Sequence, residues 1–191
     1  MALKSGIING HFIGLKNLHI AELKTDELGG AATYGDCISI PEIISINIQP
    51  QKDEASLYAD NQSVETATTT QQFKLDIELA NLPLEYKAFL LGHSFTGGVM
   101  TVGKDDVAPY VGISFETNKS NGKKRLMKFL KVKFSEPDEN PQTKGETIEF
   151  NTPTISGTAI FRMSDGLCYK AADEEADGFD ADTVTDWFTA M

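Results

Sequence analysis

At 191 residues, 40% of them hydrophobic and 24% charged, the chain has the composition of one globular domain large enough to bury a core without metal or disulfide staples. No apolar run approaches the roughly eighteen residues of a membrane span. The formal charge of −11 disfavours tight or sequence-reading contact with nucleic acid, because an acidic surface repels phosphates, although it leaves room for a surface that DNA slides past.

The start, Met1 to Gly6 and then scattered polar residues with His11, lacks the uninterrupted apolar stretch of a secretory signal, so synthesis in a cytoplasm is expected. Gly29–Gly30 separates a first strand region from a second. Ile44, Ile46 and Ile48 alternate with polar residues, as in a half-buried strand. The segment from Gln49 to Thr70 alternates weakly and is long for a connection inside a compact domain. It carries Leu57-Tyr58-Ala59 between polar flanks, then Asp60, Asn61 and a run of threonines (Thr66, Thr68, Thr69, Thr70), which suits a projecting arm or hairpin that docks on another chain, or else a flexible loop.

Phe73, Leu75, Ile77 and Leu79 alternate with Lys74, Asp76 and Glu78 in a further strand. A helix follows: Pro83 suits a first turn, Leu82, Tyr86, Phe89 and Leu90 share a face, and Gly92 can close the end. Asn121–Gly122, between the extended segments Val111–Thr117 and Leu126–Phe134, reads as a hairpin turn. Leu130, Val132 and Phe134 oppose Lys131 and Lys133, and Pro137 and Pro141 enclose a loop. Beyond it, Ile155, Gly157, Ala159, Phe161 and Met163 oppose Thr154, Ser156, Thr158 and Arg162. At the end, Val184, Trp187, Phe188 and Met191 have helical spacing behind a possible cap at Asp182 or Thr183. The fold class is therefore mainly β, a sandwich or barrel of about seven or eight antiparallel strands with one flanking helix, a long projecting loop at about 49–70 and a C-terminal helix. Residues 1–172 form the domain, and residues 173–191 an acidic segment with the terminal helix.

Few motifs suggest chemistry. Gly92-His93-Ser94-Phe95-Thr96-Gly97 imitates a nucleophile elbow, but Thr96 takes the place of the closing glycine and the segment follows a helix rather than a strand, so catalysis by Ser94 with His93 is disfavoured. Asp173-Glu174-Glu175-Ala176-Asp177-Gly178 imitates the opening of a calcium loop, yet Val184 stands where the bidentate carboxylate belongs, and a solvated acidic stretch is expected instead. Cys37 and Cys168 lie in no paired spacing, and the three histidines show no ligand spacing, so no disulfide, metal or cofactor is expected. Lys119, Lys123, Lys124, Arg125, Lys128, Lys131 and Lys133 form a basic run without an acid, and the stripe of Lys128, Lys131 and Lys133 is expected to meet an acidic neighbouring subunit or solvent rather than nucleic acid. A carbohydrate-binding sandwich would need exposed aromatics, and the one tryptophan, Trp187, sits in a helical pattern.

An ordered set of short pieces narrows this reading. Gly14-Leu15-Lys16-Asn17-Leu18 with Ala21 and Leu23, Ser56-Leu57-Tyr58-Ala59-Asp60-Asn61, Leu82-Pro83-Leu84-Glu85 with Leu91-Gly92, Val111-Gly112, Asn121-Gly122-Lys123-Lys124-Arg125 and Asn151-Thr152-Pro153-Thr154 follow one another over about residues 13–165. In that order the chain resembles the major tail protein, or tail tube protein, of long non-contractile-tailed bacteriophages of Gram-positive hosts. The resemblance implies a non-enzymatic virion protein: a β-sandwich flanked by a helix, assembled in the host cytoplasm as hexameric rings that stack into a tube through which the genome passes without specific binding. It also implies a tape-measure protein, a tail terminator and tail-tip proteins as partners, with no membrane. Leu57, Tyr58, Ala59 and Asp60 would then make ring-to-ring contacts, and Asp76 and Glu78 become candidates for the lumen. The tube of a phage-tail-like bacteriocin or secretion device is the alternative. The family often carries an extra immunoglobulin-like domain, for which no room is expected before Met191.

Overall fold

The computed structural model describes residues 10–59, 62–139, 141, 143 and 151–191. In chain order these form β1 (Phe12–Thr25), β2 (Thr33–Tyr34), β3 (Ile38–Ile40), β4 (Ile43–Ala59), β5 (Gln62–Leu79), α1 (Leu84–Leu91), β6 (Ser94–Thr96), β7 (Val99–Thr101), β8 (Tyr110–Lys119), β9 (Lys124–Phe134), β10 (Thr154–Ala159), β11 (Tyr169–Asp173) and α2 (Asp182–Asp186). The fold is mainly β, as the alternation predicts. One antiparallel sheet runs β2-β1-β8-β9-β10-β5-β4, with β3 also on β1 and β11 also on β9, while β6 and β7 make a separate hairpin. Only Pro41 and Glu42 separate β3, which pairs with β1, from β4, which pairs with β5, so the path of pairing turns back toward its start.

In β5 the alternation is regular: Leu75, Ile77 and Leu79 are buried, and Lys74, Asp76 and Glu78 take the other face. The core gathers these with Leu18, Ile20, Val111, Ile113, Phe115, Phe129, Val132, Phe134 and Ile155. Each such side chain contributes about 1.5–3 kcal/mol by leaving water. In β8 and β9 burial instead runs through consecutive residues, Val111–Glu116 and Lys128–Val132, because both faces are covered. The outer cover is the C-terminal segment and the chain after β1. The Trp187 indole N–H donates to the Met127 carbonyl (3.3 Å), Phe188 lies 4.9 Å from the His19 ring, and the Tyr34 hydroxyl donates to the Leu130 carbonyl (2.6 Å). Gly112 makes room for this layer, since a Cβ there would lie 2.9 Å from Met191 Cγ and 3.0 Å from Tyr34 Cε1.

Two local bulges and a strand end change three of the expected patterns. Register shifts between Ile43 and Ser45, so Ile43 joins Ile46 and Ile48 against the core and Ile44 turns outward. Between β8 and β9 the register shifts again, Val111 facing Val132 but Ile113 facing Phe129, which puts Met127 and Phe129 with Val132 and Phe134 and leaves Leu130 buried outside that cluster. There β9 changes partner, from β10 along Val132–Phe134 to β11 along Arg125–Phe129. Past Ala159 the strand ends and the phase inverts: Phe161 and Met163 are exposed, whereas Arg162 is buried and donates to the Tyr34 hydroxyl (3.1 Å) and to Asp165.

The first helix starts after Pro83 and closes at Gly92, whose φ of 76° is the left-handed cap a glycine adopts without strain. It buries Lys87, Ala88, Leu90 and Leu91 beside the β6–β7 hairpin, and Leu82, Phe89 and Leu90 of the expected face pack in or against the core. The terminal helix is a five-residue turn without a side-chain cap, and its position comes from Trp187 and Phe188 beyond it.

Candidate assembly surfaces

Pairing of β4 with β5 continues far beyond the rest of the sheet. β10 accompanies β5 only from Phe73 to Glu78, and from Gln51↔Gln72 to Ala59↔Gln62 the two strands pair with each other alone among the described residues. At about 3.3 Å per residue, the part of β5 from Gln62 to Gln72 extends roughly 35 Å past its last sheet neighbour. β-Branched threonines favour strand, which suits a segment that alternates weakly yet forms a hairpin. Its register slips at Gln51/Lys52 and Leu57/Tyr58, which adds twist. Leu57, Tyr58 and Ala59 lie at its far end, opposite Glu65, Ser63 and Gln62, and Asp60 falls outside the described residues.

Asp76 and Glu78 sit on the polar face of β5 in a hydrogen-bonded layer. Asp76 accepts from Ser156 Oγ (2.5 Å) and Gln49 Nε2 (3.4 Å) and pairs with Lys74 (3.2 Å). Glu78 accepts from Thr152 Oγ1 (2.7 Å) and Ser45 Oγ (3.0 Å). The hydrogen bond from Ser156 and those from Thr152 and Ser45 hold the two carboxyls below the usual carboxylate range, so both stay ionised near neutral pH.

The basic run and the acidic segment, nearly fifty residues apart, meet in one clasp. Lys119 is fully buried, and its ammonium donates to Asp173 Oδ1 (2.6 Å) and to Glu175 Oε2. Arg125 Nε donates to Asp173 Oδ2 (2.9 Å), the Lys124 amide to Glu174 (2.9 Å), and Asn121 Nδ2 and the Gly10 amide (3.2 Å) to Glu175 Oε1. Burial opposes ionisation of Asp173, but the bonds from Lys119, the Glu175 amide and Arg125 outweigh it, and the bond from Lys119 likewise lowers Glu175. Three of the acids expected in solvent, Asp173, Glu174 and Glu175, are thus engaged at the top of β9 and β11. The stripe lysines also have partners in the same chain: Lys128 is buried, donating to the Ala190 carbonyl (2.6 Å) over the Trp187 ring, Lys131 pairs with Asp26 (2.6 Å), and Lys133 lies over Tyr110. Burial pushes the Lys128 amine down to about 8. Sequence reading missed these pairings because nothing local signals a partner fifty or a hundred residues away.

Ser94 and His93 do not form a nucleophile and base pair. Ser94 lies in β6 with its hydroxyl toward the Thr101 carbonyl (3.4 Å), and both ring nitrogens of His93 are taken by carboxylates, Asp106 (2.7 Å) and Glu136 (3.0 Å). Among the described residues no helix is long and apolar enough to cross a membrane, and no group of three or more His, Cys, Asp or Glu is placed to hold a metal ion. The family model described as phage tail tube protein matches residues 43–188, well over half of the chain. No curated protein matches it.

Proposed function

This chain belongs to the phage tail tube protein family, a structural family of the virion, and from that premise we propose that it forms hexameric rings which stack into the tube of a long non-contractile tail. The observation that carries the reading is the β4–β5 arm. It leaves the sheet as a bare two-stranded ribbon whose outer backbone edges have no partner among the described residues, and a long unpaired edge is a template for another chain. At the opposite end of β5 lie α1 and the β6–β7 hairpin, where Leu84, Val99, Val102 and Val107 are exposed. An arm at one end and apolar residues at the other suit heterologous, head-to-tail contacts, which close into rings around an axis and extend along it.

In this reading Leu57, Tyr58, Ala59 and Asp60 anchor one ring on the next, and closure of the sheets around the lumen removes the remaining edges. Asp76 and Glu78, kept charged by their neighbours, face the lumen and repel the passing genome. Because stacking has no intrinsic stop, length is set from outside, by a tape-measure protein, a tail terminator and tail-tip proteins. Assembly in the cytoplasm of a Gram-positive host completes the proposal.

Negative-stain electron microscopy with light scattering, on the full chain and on a deletion of residues 52–66, tests it. The full chain is expected to give six-fold rings and hollow tubes, and the deletion a folded subunit, with an unchanged circular dichroism spectrum, that does not stack. Normal tubes from the deletion would remove the arm from the assembly.

A further inference from the structure

Three separate pieces of chain meet at His93, the residue after the left-handed cap of α1. Nδ1 lies 2.7 Å from Asp106 Oδ2, on the connection from β7 to β8, and Nε2 lies 3.0 Å from Glu136 Oε2, just past β9. The His93 side chain is only 7% exposed, which limits the water that could replace either partner. Each carboxylate has a second anchor. Asp106 Oδ2 accepts the Gly103 amide at 2.8 Å, and Glu136 Oε1 lies 2.7 Å from the Lys87 ammonium of α1, which also reaches Glu139 Oε1 at 2.7 Å. Alongside, the backbone of Val107 passes so close to Gly92 that a Cβ on Gly92 would lie 2.2 Å from the Val107 oxygen.

An ionised carboxylate only accepts hydrogen bonds, so two such bonds require N–H on both ring nitrogens, which is the imidazolium. The charges facing the ring favour that form: Asp106 from the β7–β8 connection and Glu136 from the chain after β9, with Lys87 of α1 and Glu139 one step further out. We propose that His93 is a proton-held latch, which as imidazolium ties the β7–β8 connection and the chain after β9 to the end of α1, and which lets go of the β7–β8 connection when it loses a proton. Neutral imidazole keeps one N–H, and its other nitrogen turns a lone pair toward a carboxylate oxygen. Glu136 then still holds Lys87, across elements, whereas among the described residues Asp106 keeps only the Gly103 amide of its own loop. The freed segment is the one that carries the exposed Val102 and Val107, at the end of the subunit opposite the arm.

The hydrogen bonds that the ring donates to Glu136 and Asp106 outweigh burial and raise the His93 pKa above its ordinary 6.5. For a raised pKa the stabilisation is complete below the unfolded value and is lost as pH rises through the folded one. The latch is therefore closed below the ordinary histidine value of 6.5 and opens as pH rises through the higher folded value.

Hydrogen exchange read by mass spectrometry on the full chain tests this, since exchange at the histidine ring carbon gives the titration midpoint of His93 and amide exchange gives the protection of residues 103–109. Between about pH 5 and pH 10 the midpoint is expected above 6.5, and amide protection in 103–109 is expected to fall about tenfold or more across that same midpoint. Glu136→Gln and Asp106→Asn, each of which keeps a folded neighbour in place, should lower the midpoint, and His93→Gln should abolish the pH step in protection. A midpoint at or below 6.5, or protection of 103–109 that is flat through the midpoint in the wild type, overturns the latch.

Discussion

Replacing Lys119 with methionine removes the ammonium at the centre of the clasp while keeping the length of the buried stem. Breaking a buried ion pair by deleting one partner typically costs about 3–5 kcal/mol, because the other charge stays behind unpaired. Here Asp173 keeps Arg125, at 2.9 Å through Nε and 2.8 Å through Nη2, and Glu175 keeps Asn121 and the Gly10 amide, so the loss falls to about 2–3 kcal/mol. Urea unfolding followed by Trp187 fluorescence reads it directly, since Trp187 lies in the segment that follows the clasp and its ring meets Lys128. Adding Glu175→Gln to Lys119→Met should restore part of the lost stability, because Glu175 is the carboxylate left without a cation while Asp173 keeps Arg125. The pH dependence has a defined sign: Asp173 and Glu175 have lowered pKa values, so their contribution is present above the unfolded carboxylate range and is lost as pH falls through the folded values. Wild type should therefore lose stability more steeply in acid than Lys119→Met. A shift below about 0.5 kcal/mol for Lys119→Met, the scale of an exposed pair, would refute the clasp as a buried interaction.

Gly92→Ala should lower thermal stability sharply, by more than about 2 kcal/mol, because a left-handed backbone disfavours alanine and its Cβ would strike the Val107 carbonyl; calorimetry checks it. Tube formation, followed by light scattering between about 0.05 and 0.5 M salt, should strengthen as salt rises, since subunits of net charge −11 repel and the basic stripe is occupied within the chain. Weakening with salt would instead mean that the stripe meets an acidic neighbour.

The sheet was legible where one face is buried and the other wet. Phe73 to Leu79 alternates over its whole length, and Asn121–Gly122 marks a turn that a glycine φ of 81° requires, so both read correctly from the residues alone. What alternation cannot carry is a bulge. One extra residue inverts the phase, and neither Ile43–Ile44 nor Leu130–Lys131 announces its bulge, because the cause is pairing with β5 in one case and an exchange of partners from β10 to β11 in the other. Strands buried on both faces mislead in a second way. Gly112, Ser114 and Glu116 look like the wet side of β8, yet Met191 and Tyr34 close over Gly112, and Lys16 and Lys124 meet the buried Glu116.

Charge was the least legible feature, for a physical reason. A basic run and an acidic run in one sequence are equally compatible with pairing between copies and pairing within one, since complementarity does not record connectivity. The fold decides: β11 beside the top of β9 sets Asp173 against Arg125, and the next residues curl over the β8–β9 turn to reach Lys119 and Asn121. With those cations engaged, and with Lys128 and Lys131 held by Ala190 and Asp26, little exposed positive charge is left on β9 to recruit another subunit. Groups that do not repel, namely backbone edges and apolar side chains, can then attract copies of so acidic a chain. Both are present where the assembly reading needs them, the edges on the β4–β5 arm and the exposed Leu84, Val99, Val102 and Val107 at the opposite end.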